Sequence, residues 1–189
     1  MRLASVAFTI AAIAALPSLA DARPFTAGVG IGRSQSKADA EGEASDTLQV
    51  FGRLSFTKRL AVQLELQKLE LPYDAATVRS GTLHLVVELG HRGHLFPLLF
   101  AGFGGDKFND AYGYEISGSH TEGGAALEYR ADGGLTIGAD LRLGGRSIDD
   151  DQYKIQPVYN DNSSIALYAP ETLQPGEYRS ARIYAGVRF

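Results

Sequence analysis

From Phe25 onward, apolar side chains recur at every second position, the period of a strand with two unlike faces, and not at the 3.6-residue period of a helix. Eight such segments follow one another. The first carries Phe25, Ala27, Val29 and Ile31; the second Leu48, Val50, Leu54 and Phe56 around Gly52; the third Leu60, Val62, Leu64 and Leu66; the fourth Leu83, Leu85, Val87 and Leu89. The fifth offers Leu99, Ala101 and Phe103, and the sixth Ala125, Leu127 and Tyr129. The seventh carries Leu135, Ile137, Ala139, Leu141 and Leu143, and the eighth Ala181, Ile183, Ala185, Val187 and Phe189. Each is close to the roughly 9 to 11 residues that a tilted strand needs to cross a bilayer. No charge interrupts this face, although the chain is 21% charged. That absence is what a lipid-facing wall requires, because one charge at a bilayer midplane costs about 2–4 kcal/mol.

The charges sit on the opposite parity: Arg53, Glu65, Glu88, Glu128, Arg130, Asp140, Arg142, Arg182 and Arg188, with Gln49, Gln63, Gln67, His84 and Tyr184 among them. The signs nearly cancel. The same face carries glycines such as Gly28, Gly30, Gly32, Gly102, Gly104, Gly124, Gly138 and Gly186. Long paired charges beside missing side chains fit a narrow closed lumen better than a water-facing sheet surface. Connections alternate as well. Thr57–Arg59, His91–Pro97 and Ala131–Gly134 are short, whereas Arg33–Asp46, Glu70–Ser80, Gly105–Thr121 and Arg146–Arg179 are long and polar. The pattern predicts an all-β fold: an eight-stranded antiparallel up-and-down transmembrane β-barrel with short periplasmic turns and long outer loops. Phe25, Phe56, Tyr129 and Phe189 then lie together at the periplasmic rim.

Before Arg23 the pattern changes. Met1 and Arg2 are followed by an apolar stretch from Leu3 to Leu16, a break at Pro17 and Ser18, and small residues Ala20 and Ala22 flanking Asp21. This is the build of a secretory signal: residues 1–22 are expected to be cleaved, and residues 23–189 to form the barrel domain. The stretch is shorter than the roughly 20 residues of a membrane-spanning helix. Loss of Arg2 and Asp21 together leaves the net charge at -4. With a pI near 5.5 the chain has no basic field to hold a phosphate backbone, so nucleic acid is not an expected partner. The absence of cysteine removes disulfides, thiolate metal sites and a lipidated cysteine anchor.

Three segments resemble the small eight-stranded outer-membrane barrels of Gram-negative bacteria, the group of the OmpA transmembrane domain and OmpX. Pro97-Leu98-Leu99-Phe100-Ala101-Gly102-Phe103-Gly104 is similar to that family's fifth strand, and Gly124-Ala125-Ala126-Leu127-Glu128-Tyr129-Arg130 to its sixth. Ala185-Gly186-Val187-Arg188-Phe189 is similar to its last strand. The resemblance implies that Ala181, Ile183, Ala185, Val187 and Phe189 are the signal read by the barrel-assembly machinery, a partner during biogenesis that adds the strand by edge pairing. Where the family often has Tyr third from the end, this chain has Val187.

Candidate chemistry is sparse. Gly28-Val29-Gly30-Ile31-Gly32 lies inside a strand, so no helix N-terminus meets a phosphate there. His91 and His94 flank a short turn without a neighbouring carboxylate or cysteine. Asp149-Asp150-Asp151 and Asp161 fit no calcium-loop spacing. His84 and Glu88 share a face and are expected to pair within the lumen. Some barrels of this size modify lipid A, with a Ser, a His and a carboxylate as the machinery. Ser117, Ser119, His120 and Glu122 fall at the base of the third long loop, but the lipid A deacylase pattern of His followed two residues on by Ser is here His120-Thr121-Glu122. No catalytic, cofactor or metal residue is assigned.

The expected function is a non-enzymatic structural or surface-interaction role in the outer membrane, among lipid and lipopolysaccharide, through the outer loops. The longest, residues 146–179, holds Tyr153, Tyr159, Tyr168 and Tyr178 with Ile155, Val158 and Ile165, an apolar surface suited to an extracellular partner. A lipid-modifying barrel enzyme and a soluble periplasmic ligand-binding barrel of inverted facing are the alternatives.

Overall fold

A computed structural model of the chain describes residues 24–36, 44–70, 77–109, 115–148 and 176–189. They form β1 (Phe25–Ser36), β2 (Ser45–Ser55), β3 (Leu60–Glu70), β4 (Thr77–Glu88), β5 (Leu95–Asn109), β6 (Glu115–Arg130), β7 (Leu135–Ile148) and β8 (Gly176–Arg188). Every strand pairs with its sequence neighbour, and β1 closes on β8, so the sheet is one ring without an edge. All eight ladders are antiparallel. Closure is completed by reciprocal bonds: Phe25 N–H donates to the Phe189 carbonyl at 3.2 Å and Phe189 N–H to the Phe25 carbonyl at 2.9 Å. Their rings stack with centroids 5.7 Å apart.

The tight turns lie at the same end as this closure. Thr57 Oγ1 accepts from the N–H of Arg59 at 3.1 Å and of Leu60 at 3.0 Å, which holds the β2–β3 turn. The β4–β5 connection ends in a hairpin at Gly93, whose φ of 62° a side chain would resist. The four connections at the other end contain the residues that the structure does not describe, including residues 149–175 with Asp149–Asp151, Asp161 and most of the expected loop aromatics. Residues 1–23, with Ala20 and Ala22, also lie outside the described residues.

The strands run further outward than the alternation indicated. β5 has 15 residues and β6 has 16, paired as far as Asn109 and Glu115, so most of the expected loop 105–121 is strand. Tyr178, read as a loop residue, belongs to β8. The reason is physical: a backbone ladder does not depend on which side chains it carries, so pairing continues above the apolar belt where the alternation of the sequence fades.

The two faces divide as expected. Leu141 is 68% exposed and Leu143 72% on the outer wall, whereas Glu65 is 1% and Glu128 0% exposed within. The lumen is not wholly polar, however. Ala61, Val86 and Leu98 form a buried cluster with Phe96, Phe100 and Ala126 against them. Phe51, Leu69 and Val78 also face inward and are buried. Glycine makes room for these bulky groups. Phe100 stands in register with Gly124, Phe51 with Gly28, His84 with Gly102 and Tyr184 with Gly138. A Cβ on Gly124 would stand 2.2 Å from the Leu141 carbonyl oxygen and 2.6 Å from the Phe100 ring. Each large side chain therefore lies over the bare backbone of its cross-strand neighbour.

Gly124→Ala is expected to lower stability by about 1–3 kcal/mol through this clash. Gly145→Ala, where nothing stands within 4 Å of the added carbon, is expected to stay within about 0.5 kcal/mol of the parent. Urea unfolding in detergent followed by tyrosine fluorescence checks both.

Candidate functional site

Residues two apart on a strand share a face, and this spacing builds the interior charge network. Near the short-turn end, Arg130 Nε donates to Glu128 Oε1 at 2.6 Å and its Nη1 to Glu88 Oε2 at 2.7 Å. Across the barrel, Arg53 Nη1 reaches Glu128 Oε2 at 2.7 Å, while its Nε donates to Gln63 at 2.8 Å. The Tyr184 hydroxyl donates to the same Glu128 oxygen at 3.1 Å. Phe96 lies under the Arg130 guanidinium, 4.0 Å from ring centroid to Cζ.

The middle layer is centred on Arg142. Its Nη2 meets Glu65 Oε2 at 2.9 Å, its Nε meets Asp140 Oδ1 at 3.0 Å, and its Nη1 meets Glu122 Oε1 at 2.5 Å. Arg182 joins Glu65 to Asp140, with Nε 3.1 Å from Asp140 Oδ1 and Nη1 on Glu65 Oε1. His84 Nε2 stands 2.7 Å from Glu122 Oε1, and the Tyr178 hydroxyl donates to Glu122 Oε2 at 2.7 Å. The outermost layer is built on Asp106, which accepts from Arg146 Nε at 2.7 Å and Ser80 Oγ at 2.5 Å. His120 Nδ1 stands 3.1 Å from the same carboxylate, and its Nε2 is 2.9 Å from Thr82 Oγ1.

The expected lumen charges Arg53, Glu65, Glu88, Glu128, Arg130, Asp140, Arg142 and Arg182 are thus brought together, layer by layer. Arg188 lies in register with Thr26 close to the closure, on the lumen parity. The expected His84–Glu88 pair does not form, because Glu88 is taken by Arg130 and His84 by Glu122. Sequence reasoning missed Asp106, His120, Glu122, Arg146 and Tyr178 as lumen residues. Continuing the count of two outward from Gly104, Glu128 and Arg142 reaches four of them, of which Asp106, His120 and Arg146 lie within the expected loops and Glu122 at the base of one.

The arrangement constrains chemistry. Ser119 takes the outward parity of β6 and is exposed, while His120 next to it is buried inward, so the two do not meet as nucleophile and base. Thr82, His120 and Asp106 have the hydroxyl–imidazole–carboxylate order of a nucleophile relay. Thr82 is 2% exposed, however, and Asp106 is already engaged by Arg146 and Ser80. That group is a packed polar layer. His94 Nδ1 lies 2.9 Å from the Arg130 carbonyl and the His91 ring stacks on Phe96, so both histidines serve the turn. Ala181, Ile183, Ala185 and Val187 face outward on β8, and Phe189 follows it at the closure.

A closed eight-stranded antiparallel barrel with an uncharged outer belt and an ion-paired interior is the fold of the small outer-membrane β-barrels. Neisserial surface protein A shares it, with a TM-score of 0.54 and 12% identity over 87% of this chain and 94% of that one. The N-terminal β-barrel domain of Pseudomonas aeruginosa OprF is similar at a TM-score of 0.56 and 15% identity, covering 88% of this chain and 98% of that domain. The sequence matches no family model and no curated protein.

Because each interior charge has a partner, removing one strands another. Glu128→Gln and Arg53→Met are each expected to cost about 3–5 kcal/mol. The double variant is expected to lose less than their sum by about 1 kcal/mol or more, as a double-mutant cycle in urea checks.

Proposed function

We propose that the chain is an exported outer-membrane protein whose residues 1–22 are removed and whose residues 23–189 fold as the barrel. The observation that carries this reading is the outer wall. Phe103 at 64%, Leu141 at 68% and Leu143 at 72% exposure belong to a belt of uncovered apolar side chains around a ring that has no other place to bury them. A soluble ligand-binding barrel needs the opposite facing, with a dry cavity inside and charges outside.

The role is structural or interactive and not enzymatic. The interior is filled by paired charges and rings, as an eight-stranded ring is only wide enough to be, which argues against solute passage as well as against a reaction chamber. Ser119 faces outward while His120 beside it is buried inward, an arrangement that speaks against a serine–histidine relay of the lipid-modifying kind at this place. Contacts with other molecules fall to the connections at the end opposite the closure, where an extracellular partner has access. The outward row Ala181, Ile183, Ala185, Val187 and Phe189 presents the assembly signal to the barrel-assembly machinery before β8 pairs with β1. Surrounding lipid and lipopolysaccharide are the other partners, and no cofactor is required.

The test is fractionation with electrophoresis. The unboiled protein is expected to migrate differently from the boiled one and to stay in the membrane pellet after carbonate washing; recovery in the supernatant would refute the reading. Phe189→Ala is expected to lower the heat-modifiable fraction in cells while leaving detergent refolding of the purified chain intact.

A further inference from the structure

The hairpin tips of β2–β3 and β4–β5 are neighbours at the closure end, because β3 pairs with β4 and the Arg59 carbonyl accepts from Glu88 N–H at 2.8 Å. Lys58 and Arg59 belong to the first tip, and Arg92 stands in the second, bridged to Leu95. All three residues are exposed. Across residues 55–60 and 87–97 the one carboxylate is Glu88, and Arg130 holds it at 2.7 Å. The histidines of the second tip bring no negative charge. His91 stacks on Phe96, and His94 Nδ1 lies 2.9 Å from the Arg130 carbonyl and 3.9 Å from Asp132 of the β6–β7 turn. The two tips thus present three cations, and neither tip has a carboxylate of its own left to neutralise them.

What borders these cations says which anion meets them. Phe56 and Leu60 flank the first tip, Leu89 and Leu95 the second, and they are 41%, 39%, 57% and 43% exposed on the outer wall. Along the backbone Arg59 is one residue from this apolar border, Lys58 two and Arg92 three. A chain spans at most about 3.5 Å per residue, so all three begin within about 10 Å of it. The headgroup layer of a bilayer extends roughly 5–8 Å beyond the hydrocarbon on each side, and long Lys and Arg stems place their charges within it. The rings of Phe56, Tyr129 and Phe189 are exposed at the same border, where aromatic side chains mark a membrane interface. A dissolved anion would meet the charges alone, whereas a lipid covers the cations and the adjoining apolar side chains together.

We propose that Lys58, Arg59 and Arg92 bind the headgroup phosphates of anionic phospholipids in the leaflet at the closure end, with the acyl chains lying over Phe56, Leu60, Leu89 and Leu95. This rests on the outer-membrane reading above and names a lipid contact within it. The Lys58 ammonium meets a phosphate as a point charge and the two guanidiniums meet it as two-pronged donors, with strength that falls as salt rises. A zwitterionic lipid carries its own cation beside the phosphate and gains less from the tips.

The folded full chain in detergent is titrated with dioleoylphosphatidylglycerol and with dioleoylphosphatidylcholine, which share their acyl chains, and bound lipid is counted by native mass spectrometry. The phosphatidylglycerol is expected to be retained at least tenfold more tightly, since each Lys or Arg near an anionic membrane surface contributes about fivefold. The triple variant K58Q/R59Q/R92Q is expected to abolish that difference and R92Q alone to reduce it about two- to fivefold. R33Q/R79Q, at the opposite border of the apolar belt, is expected to preserve it, and all three variants to remain heat-modifiable. Equal retention of the two lipids, an unchanged preference in the triple variant, or its loss in R33Q/R79Q overturns the site. Displacement of the phosphatidylglycerol by poly-glutamate at equal charge concentration overturns a lipid as its ligand in favour of a soluble polyanion. Insertion of the parent chain into neutral phosphatidylcholine vesicles is measured alongside: a chain that inserts but shows no headgroup preference refutes the site alone, whereas failure to insert refutes the membrane reading and the site with it.

Discussion

A charge shut inside an eight-stranded ring has nowhere to go but to another charge. The lumen is too narrow for bulk water, and leaving an ion there without a partner costs several kcal/mol. This constraint organises the interior into layers in which Arg53, Arg130, Arg142 and Arg182 each bridge acceptors from different strands. Arg142 ties β7 to β3 and β6, and Arg53 ties β2 to β6. The ties run across the barrel, perpendicular to the ladder, so they add a second set of connections to a wall already joined strand to strand. Salt bridges of this kind add little net stability over well-packed hydrocarbon, but they make every member indispensable to the others.

Rings and glycines complete the filling. Phe51 meets the edge of Tyr184 with centroids 5.5 Å apart, and Arg142 lies 4.7 Å from the Phe100 centroid, so aromatic faces supply part of the solvation that the arginines have lost in leaving water. The bare backbone opposite Phe51, Phe100, Tyr178 and Tyr184 is what lets so much volume enter so small a ring. Charge pairing and glycine placement are therefore one device: the long side chains need the space, and the glycines supply it at the register position where it is needed.

The wall was legible in the sequence because its outer face stays apolar and uncharged over many positions, Leu141 and Val29 among them, whatever their neighbours are. Strand number, order, facing and closure followed from that pattern with the alternation of short and long connections. Partner choice inside was not legible. Parity puts His84, Glu88 and Glu122 on one surface, but which of them touch depends on register and on strand tilt, so His84 reached β6 and not its own strand-mate. The upper ends of the strands were hidden for a different reason. Beyond the apolar belt the outer alternation lapses, and Asp106 and Arg146 fall within stretches that read as loops although the ladder carries them inward. The inward apolar cluster around Leu98 and Phe100 escaped because a strand with both faces apolar shows no alternation at all.

The pairing of β1 with β8 also has a kinetic meaning. These are the two strands most distant along the chain, so their ladder has the highest loop-closure cost of all eight, which favours its forming late. Until it does, the molecule is an open ribbon with two unsatisfied margins, each able to capture a strand from another molecule. Speed of closure, more than depth of the final energy well, thus decides whether a nascent chain becomes a sealed cylinder or a sticky sheet, and an escort that holds one margin shut would act on that interval.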